Sequence, residues 1–159
     1  MTDPVEVILE QWNRERPDLD VSPMAVIGRM ARVAKSFEEQ LSRTFAEQGL
    51  DTASFDVLAT LRRAGDPFVL SPKELTGSSM VTSSATAQRL NKLEDAGLVT
   101  RTPSAMDGRG KQVQLTKQGL EAIDNALSAH VQKEHELLVN LSTTERRKLA
   151  SLLAKLDNT

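Results

Sequence analysis

The sequence predicts a mainly α-helical α+β protein: long helices at both ends and, between them, a compact helical unit that runs into a single β-hairpin. Three observations predict it. Apolar residues recur at spacings of three and four along most of the chain, the signature of helices with one buried face. Between residues 98 and 115 the period drops to two, in Leu98-Val99-Thr100-Arg101-Thr102 and Lys111-Gln112-Val113-Gln114-Leu115. The breaks between these stretches fall on residues that start or stop helices for a physical reason.

Asp3-Pro4 opens a helix over 3–15, with Val5, Ile8, Leu9 and Trp12 on one face, and Arg16-Pro17-Asp18 stops it. Ser22-Pro23 leads a long helix over 24–48 whose stripe is Ile27, Met30, Val33, Ala34, Phe37, Leu41 and Phe45, ending at Gly49. A stripe of that length needs another helix or another subunit to cover it. Thr52 is expected to cap a helix carrying Phe55, Val57, Leu58 and Leu61, closing on Arg62 and Arg63, where cations suit the C-terminal end of the dipole.

Ser71 is a good N-cap and Pro72 suits a first helical position, so a short helix starts there and is interrupted by Gly77-Ser78-Ser79. A second start at Thr82 or Ser83 runs without a breaker to Ala96, and Gly97 suits the left-handed C-cap. Leu90 and Leu93 turn inward; Ser84, Gln88, Asn91 and Lys92 lie on the other side of the wheel. The hairpin follows, with Pro103 to Gly110 as its projecting loop and Arg109 at the tip. Thr116 caps a helix over 117–140 bearing Leu120, Ile123, Leu127, Val131 and Leu138. Ser142-Thr143-Thr144-Glu145 is a capping box for a last helix, 143–157, expected to bury Leu149, Leu152, Leu153 and Leu156.

Short helix, turn, polar outward helix and basic-tipped hairpin make a winged helix-turn-helix. An exposed helix of small hydroxyls and amides fits the major groove, and an arginine fits a narrow minor groove. The expected DNA contacts are Ser83, Ser84, Thr86, Gln88, Asn91, Lys92, Arg109 and Lys111. The organisation that follows is dimerisation helices at 1–49 and 117–159 flanking a reading region at 50–116. A two-fold dimer would read a pseudopalindromic operator in double-stranded DNA.

The string RLNKLEDAGLVTRTPSAMDGRGKQVQLTKQG resembles the MarR family, in which a recognition helix of the form RLxxLExxGLV leads into a wing containing D-x-R-G. The likeness extends from GLDTASFDVLATLRRAG before the motif to LSTTERRKLASLLAKL after it, and departs at Ser84 and Ala87, where many relatives carry glycine and threonine. It implies a dimeric transcriptional regulator. Four residues resemble, type by type, the ligand site of the urate-responsive, PecS-like branch: Trp12 on an extra N-terminal helix, Asp56 in FDVL, Arg89 in QRL and Arg101 in VTRT. An aromatic face with two guanidiniums suits a planar organic anion. The expectation is a repressor released by a small anionic effector, with Asp56 near Arg89 or Arg101 in the free protein. The alternative is a ligand-independent DNA-binding or architectural protein.

Composition limits the remaining classes. The formal charge of −2 is regional: residues 71–115 carry six basic against four acidic side chains, residues 1–70 eight against twelve. A mildly basic reading element favours specific binding over coating of nucleic acid. The absence of cysteine excludes disulfides, thiolate metal sites and thiol redox sensing. His130 and His135, five residues apart, do not face one metal on a helix, and the Ser/Thr cluster at 82–86 has no histidine nearby in sequence, so neither a cofactor nor an enzyme is expected. MTDPVEVILEQW lacks the basic start and apolar run of a signal peptide, and no window is long and apolar enough to cross a membrane, so a cytoplasmic protein is expected.

Overall fold

The computed structural model describes residues 3–78, 83–103 and 111–157. The chain forms two compact units, Met1–Gln40 and Leu41–Thr159.

The first unit holds α1 (Pro4–Glu15) and the first turns of α2 (Ser22–Glu47). Asp3 caps α1 as expected, its Oδ1 accepting the Val5 N–H at 2.9 Å. Arg29 then ties the two helices, its Nε donating to Asp3 Oδ2 at 2.8 Å and its Nη2 to Glu6 Oε2 at 3.0 Å. Val5, Leu9 and Val21 form a small core with Ala25 packed against it. The face predicted for α1 is only half used: Ile8 and Trp12 are 46% and 44% exposed. Val26, Ile27, Met30 and Val33 of α2 are exposed as well.

The second unit adds α3 (Thr52–Arg63), β1 (Val69–Leu70), α4 (Pro72–Ser78), α5 (Ser83–Asp95), β2 (Val99–Pro103), β3 (Lys111–Leu115), α6 (Lys117–Leu137) and α7 (Thr143–Asp157). Its core gathers Phe45 from the end of α2, Val57, Leu58 and Leu61 of α3, Leu75 of α4, Leu90 and Leu93 of α5, Val99, Val113 and Leu115 of the sheet, and Ile123 of α6. Each such side chain contributes about 1.5–3 kcal/mol of transfer free energy. The expected capping box is present before α7, where Ser142 and Glu145 exchange hydrogen bonds, and the expected Ser71 cap of α4 proves to be a second box with Glu74.

The structure departs from expectation in three places. The hairpin is part of a three-stranded antiparallel sheet of order β1-β3-β2, with Val99 opposite Leu115, Arg101 opposite Val113 and Val69 opposite Gln114. β1 went unpredicted because two residues cannot display an alternation; it forms because β3 offers a second edge to pair. The cap of α3 is Asp51, whose Oδ1 accepts the Ser54 N–H at 2.8 Å, and Thr52 is the first helical residue. A carboxylate caps better than threonine because the positive end of the helix dipole also favours its charge. On α7, Leu149, Leu152, Leu153 and Leu156 are all exposed, with no buried residue anywhere on the helix.

One junction locks the end of α5 and the start of β2 to α6. Gly97 turns the chain after α5 with φ +70°, the left-handed region glycine favours. The Thr116 hydroxyl accepts the Gly119 N–H at 2.9 Å as the cap of α6 and donates to the Gly97 carbonyl at 2.7 Å. A Cβ at Gly119 would lie 1.9 Å from the Leu98 carbonyl oxygen, so backbone meets backbone here.

Among the described residues no helix is long and apolar enough to cross a membrane.

Candidate nucleic-acid interface and effector-responsive residues

α5 shows the two-sidedness its sequence predicts. Leu90 and Leu93 are buried, whereas Gln88, Asn91 and Lys92 are exposed, with 62% of the Lys92 side chain accessible. Ser83, Ser84 and Thr86 fall in its first turn; their side chains, and all of Arg109, lie outside the described residues. Lys111 opens β3, exposed and opposite Pro103.

Arg89, Lys92 and Arg101 are held by carboxylates. Arg101 on β2 meets Glu94 in the last turn of α5. Its Nε donates to Glu94 Oε2 at 2.7 Å and its backbone N–H to Oε1 at 3.2 Å, while its Nη2 also reaches Asn91 Oδ1 at 2.8 Å. The Arg101 hydrogen bonds hold the Glu94 carboxyl below its ordinary range and raise Arg101 in turn. Arg89 Nη1 lies 2.9 Å from Asp51 Oδ2, and Lys92 Nζ lies 3.2 Å from the same oxygen. Burial alone would raise the Asp51 carboxyl, but the Ser54 N–H, Lys92 and Arg89 outweigh it and leave it lowered.

Arg89 is thus paired with Asp51, and Arg101 with Glu94. Asp56 sits half-buried on α3, where its carbonyl accepts the Thr60 hydroxyl at 2.7 Å. Trp12 stands exposed on α1 in the first unit, and Asp56, Arg89 and Arg101 all belong to the second. Sequence reasoning missed both carboxylates that matter. The signal for Asp51 was present in GLDTAS, where Asp51 stands one residue ahead of the assigned cap; Glu94 required knowing that the turn at Gly97 folds β2 back beside α5.

His130 packs its ring into an aromatic cluster. Its ring centroid lies 5.2 Å from Phe45 and 5.0 Å from Phe55, which themselves stack at 4.3 Å. Nε2 faces Glu134 at 3.1 Å, and Nδ1 is buried without a hydrogen-bond partner among the described residues. His135 is exposed, and among the described residues no three His, Cys, Asp or Glu side chains gather as metal ligands would.

Comparison with known proteins agrees with this architecture. Residues 48–110 match the MarR family model. The chain is 39% identical over 153 residues to the HTH-type transcriptional regulator PecS of Dickeya dadantii, covering 96% of this chain and 92% of that one. Its fold matches Sco3205 of Streptomyces coelicolor, a MarR family regulator solved in complex with DNA, with a TM-score of 0.78, 21% identity and coverage of 87% and 88% of the two chains. It also matches Bordetella bronchiseptica BpsR, whose DNA binding is regulated by 6-hydroxynicotinic acid, with a TM-score of 0.72, 20% identity and coverage of 84% and 98%. The relatives are regulators and not enzymes, and the chain belongs to the MarR family of DNA-binding transcriptional regulators.

Proposed function

We propose that the protein is a homodimeric repressor that reads a pseudopalindromic operator and is released by a small planar or carboxylate anion, urate-like in its chemistry. The observation that carries the switch is the state of two guanidiniums: Arg89 on α5 lies 2.9 Å from Asp51, and Arg101 on β2 lies 2.7 Å from Glu94, at partly exposed positions. A guanidinium held by a displaceable carboxylate is a receptor for a competing anion. Both arginines stand on the reading unit, so exchanging a partner alters how that unit meets DNA. Releasing Arg101 also frees Asn91, whose side-chain oxygen it engages.

Gln88, Asn91 and Lys92 read the major groove together with Ser83, Ser84 and Thr86, while Lys111 and Arg109 serve the wing. The resemblance assigns Trp12 and Asp56 to the same effector, Trp12 as its stacking surface. Residues 1–49 and 117–159 assemble the dimer, because α1, α2, α6 and α7 all carry exposed apolar residues that a second copy would cover. Action on DNA places the protein in the cytoplasm. A ligand acts only through its preference for the non-binding state, and a hundredfold preference supplies about 2.7 kcal/mol per site.

The test is a gel shift on the DNA flanking the protein's own gene, titrated with urate, with 6-hydroxynicotinate, and with a neutral purine of similar shape. The anions should release the DNA and quench the sole tryptophan; the neutral ring should do neither. Binding that no anion alters would make this a ligand-independent or architectural DNA-binding protein.

A further inference from the structure

We infer that Asp51 is a positioning residue for DNA reading: one carboxylate oxygen fixes the start of α3 while the other holds Arg89 and Lys92, setting how α5 is presented. The two tasks are divided between atoms. Oδ1 accepts the Ser54 N–H at 2.8 Å and so caps α3. Oδ2 meets Arg89 Nη1 at 2.9 Å and Lys92 Nζ at 3.2 Å, one helical turn apart on α5. Leu90 and Leu93 pack α5 against the core, and Glu94 ties its last turn to Arg101 on β2. The charged contact at the start of α3 adds a restraint earlier along α5, because rotating the helix would pull two cations away from the same oxygen.

The same contact keeps two cations from phosphate. Lys92 lies on the exposed side of α5, and an ion pair this open to solvent exchanges at little cost. Random-sequence DNA offers phosphates and nothing else, so it gains most when the carboxylate is removed. An operator also needs α5 in its correct rotation, so it gains less. Asp51 thus favours discrimination over affinity, in a reading element whose net charge is only mildly basic.

The inference rests on α5 being the DNA-contacting helix, and the experiment separates the two. Operator, obtained by in vitro selection, and random duplex are titrated across 50–200 mM salt with the full-length wild type, Asp51→Asn, Asp51→Asn/Lys92→Ala and Gln88→Ala. Asparagine caps as well as aspartate, so the melting temperature should hold while the charge is lost. Each cation newly meeting a phosphate steepens the salt slope by about 0.9, or about 3.5-fold in affinity over that range. Asp51→Asn should steepen the slope on random duplex by about one to two such steps and lower the operator-to-random ratio several-fold. Adding Lys92→Ala should take one step back. Were Asp51→Asn to fold poorly, Asp51→Ser, also a good cap, supplies the same comparison. An unchanged slope and ratio, with Gln88→Ala still weakening the operator, would overturn the role of Asp51 and leave α5 as the reader. Gln88→Ala binding both duplexes like the wild type would remove α5 from the interface and the inference with it.

Discussion

Arg101 and Glu94 form a bracket between the wing and the recognition helix: the arginine gives both its backbone N–H and its Nε to the two oxygens of one carboxylate, at 3.2 and 2.7 Å. Because the backbone takes part, the bracket fixes the position of β2 as well as a side-chain rotamer. The last turn of α5 and the first strand of the wing therefore move as one piece while it holds.

This bracket has a pH signature. Glu94 is held below its ordinary range by Arg101, so the native carboxyl takes up protons less readily than the unfolded one. Its stabilisation is complete above the unfolded value of about 4.3 and is lost as pH falls through the lowered native value. Urea midpoints of wild type and Glu94→Gln should differ by a constant amount from pH 6 to 8 and begin to draw together as the pH falls below about 4. A gap that widens on acidification would contradict the pairing.

The wing arginine remains a prediction from sequence. Arg109→Ala should weaken operator binding by about 1–3 kcal/mol, as for an arginine inserted into a narrow minor groove. Fluorescence anisotropy at physiological salt measures it directly, and unchanged affinity would remove the wing tip from the mechanism.

For the core, Leu58 is fully buried on α3, and it belongs to the cluster joining that helix to α4, α5, the sheet and α6. Leu58→Ala should cost about 2–5 kcal/mol by urea denaturation at fixed protein concentration. A loss below 1 kcal/mol would mean that the neighbours collapse into the space.

Assembly is tested on the exposed faces. Ile27 is 62% exposed on α2 and Leu152 is 49% exposed on α7. Placing a carboxylate in a dimer interface leaves it buried and unpaired, so Ile27→Glu or Leu152→Glu should shift sedimentation of micromolar protein toward the monomer. Wild type sedimenting as a folded monomer would leave these faces unexplained by self-association.

What was legible in the sequence was local. Asp3, Ser71, Thr116 and the Ser142–Glu145 box act through residues two or three positions away, so their side chains announce the helix starts without any knowledge of the fold. Gly97 and the alternation of Val113 and Leu115 likewise report their own backbone. The contacts that organise the site are long-range. Lys92 and Asp51 are 41 residues apart, and β1 exists only because β3 has an edge to pair. His130 was weighed against a histidine on its own helix, whereas its ring packs on Phe45 and Phe55 from two others. Family likeness singled out Arg89 and Arg101, but their carboxylate partners had to be seen.

The junction at Gly119 has a mechanical consequence. Where side chains separate two elements, a small displacement of one is absorbed by rotamer changes before it reaches the other. Between the first turn of α6 and the exit from α5 there is no such cushion, since the Leu98 carbonyl occupies the space a Cβ would fill and Thr116 hydrogen-bonds across to Gly97. The two helices are geared at this point, tooth against tooth. A tilt imposed on α6 is passed through backbone contact to the C-terminal end of α5, and a tilt of α5 is returned along α6.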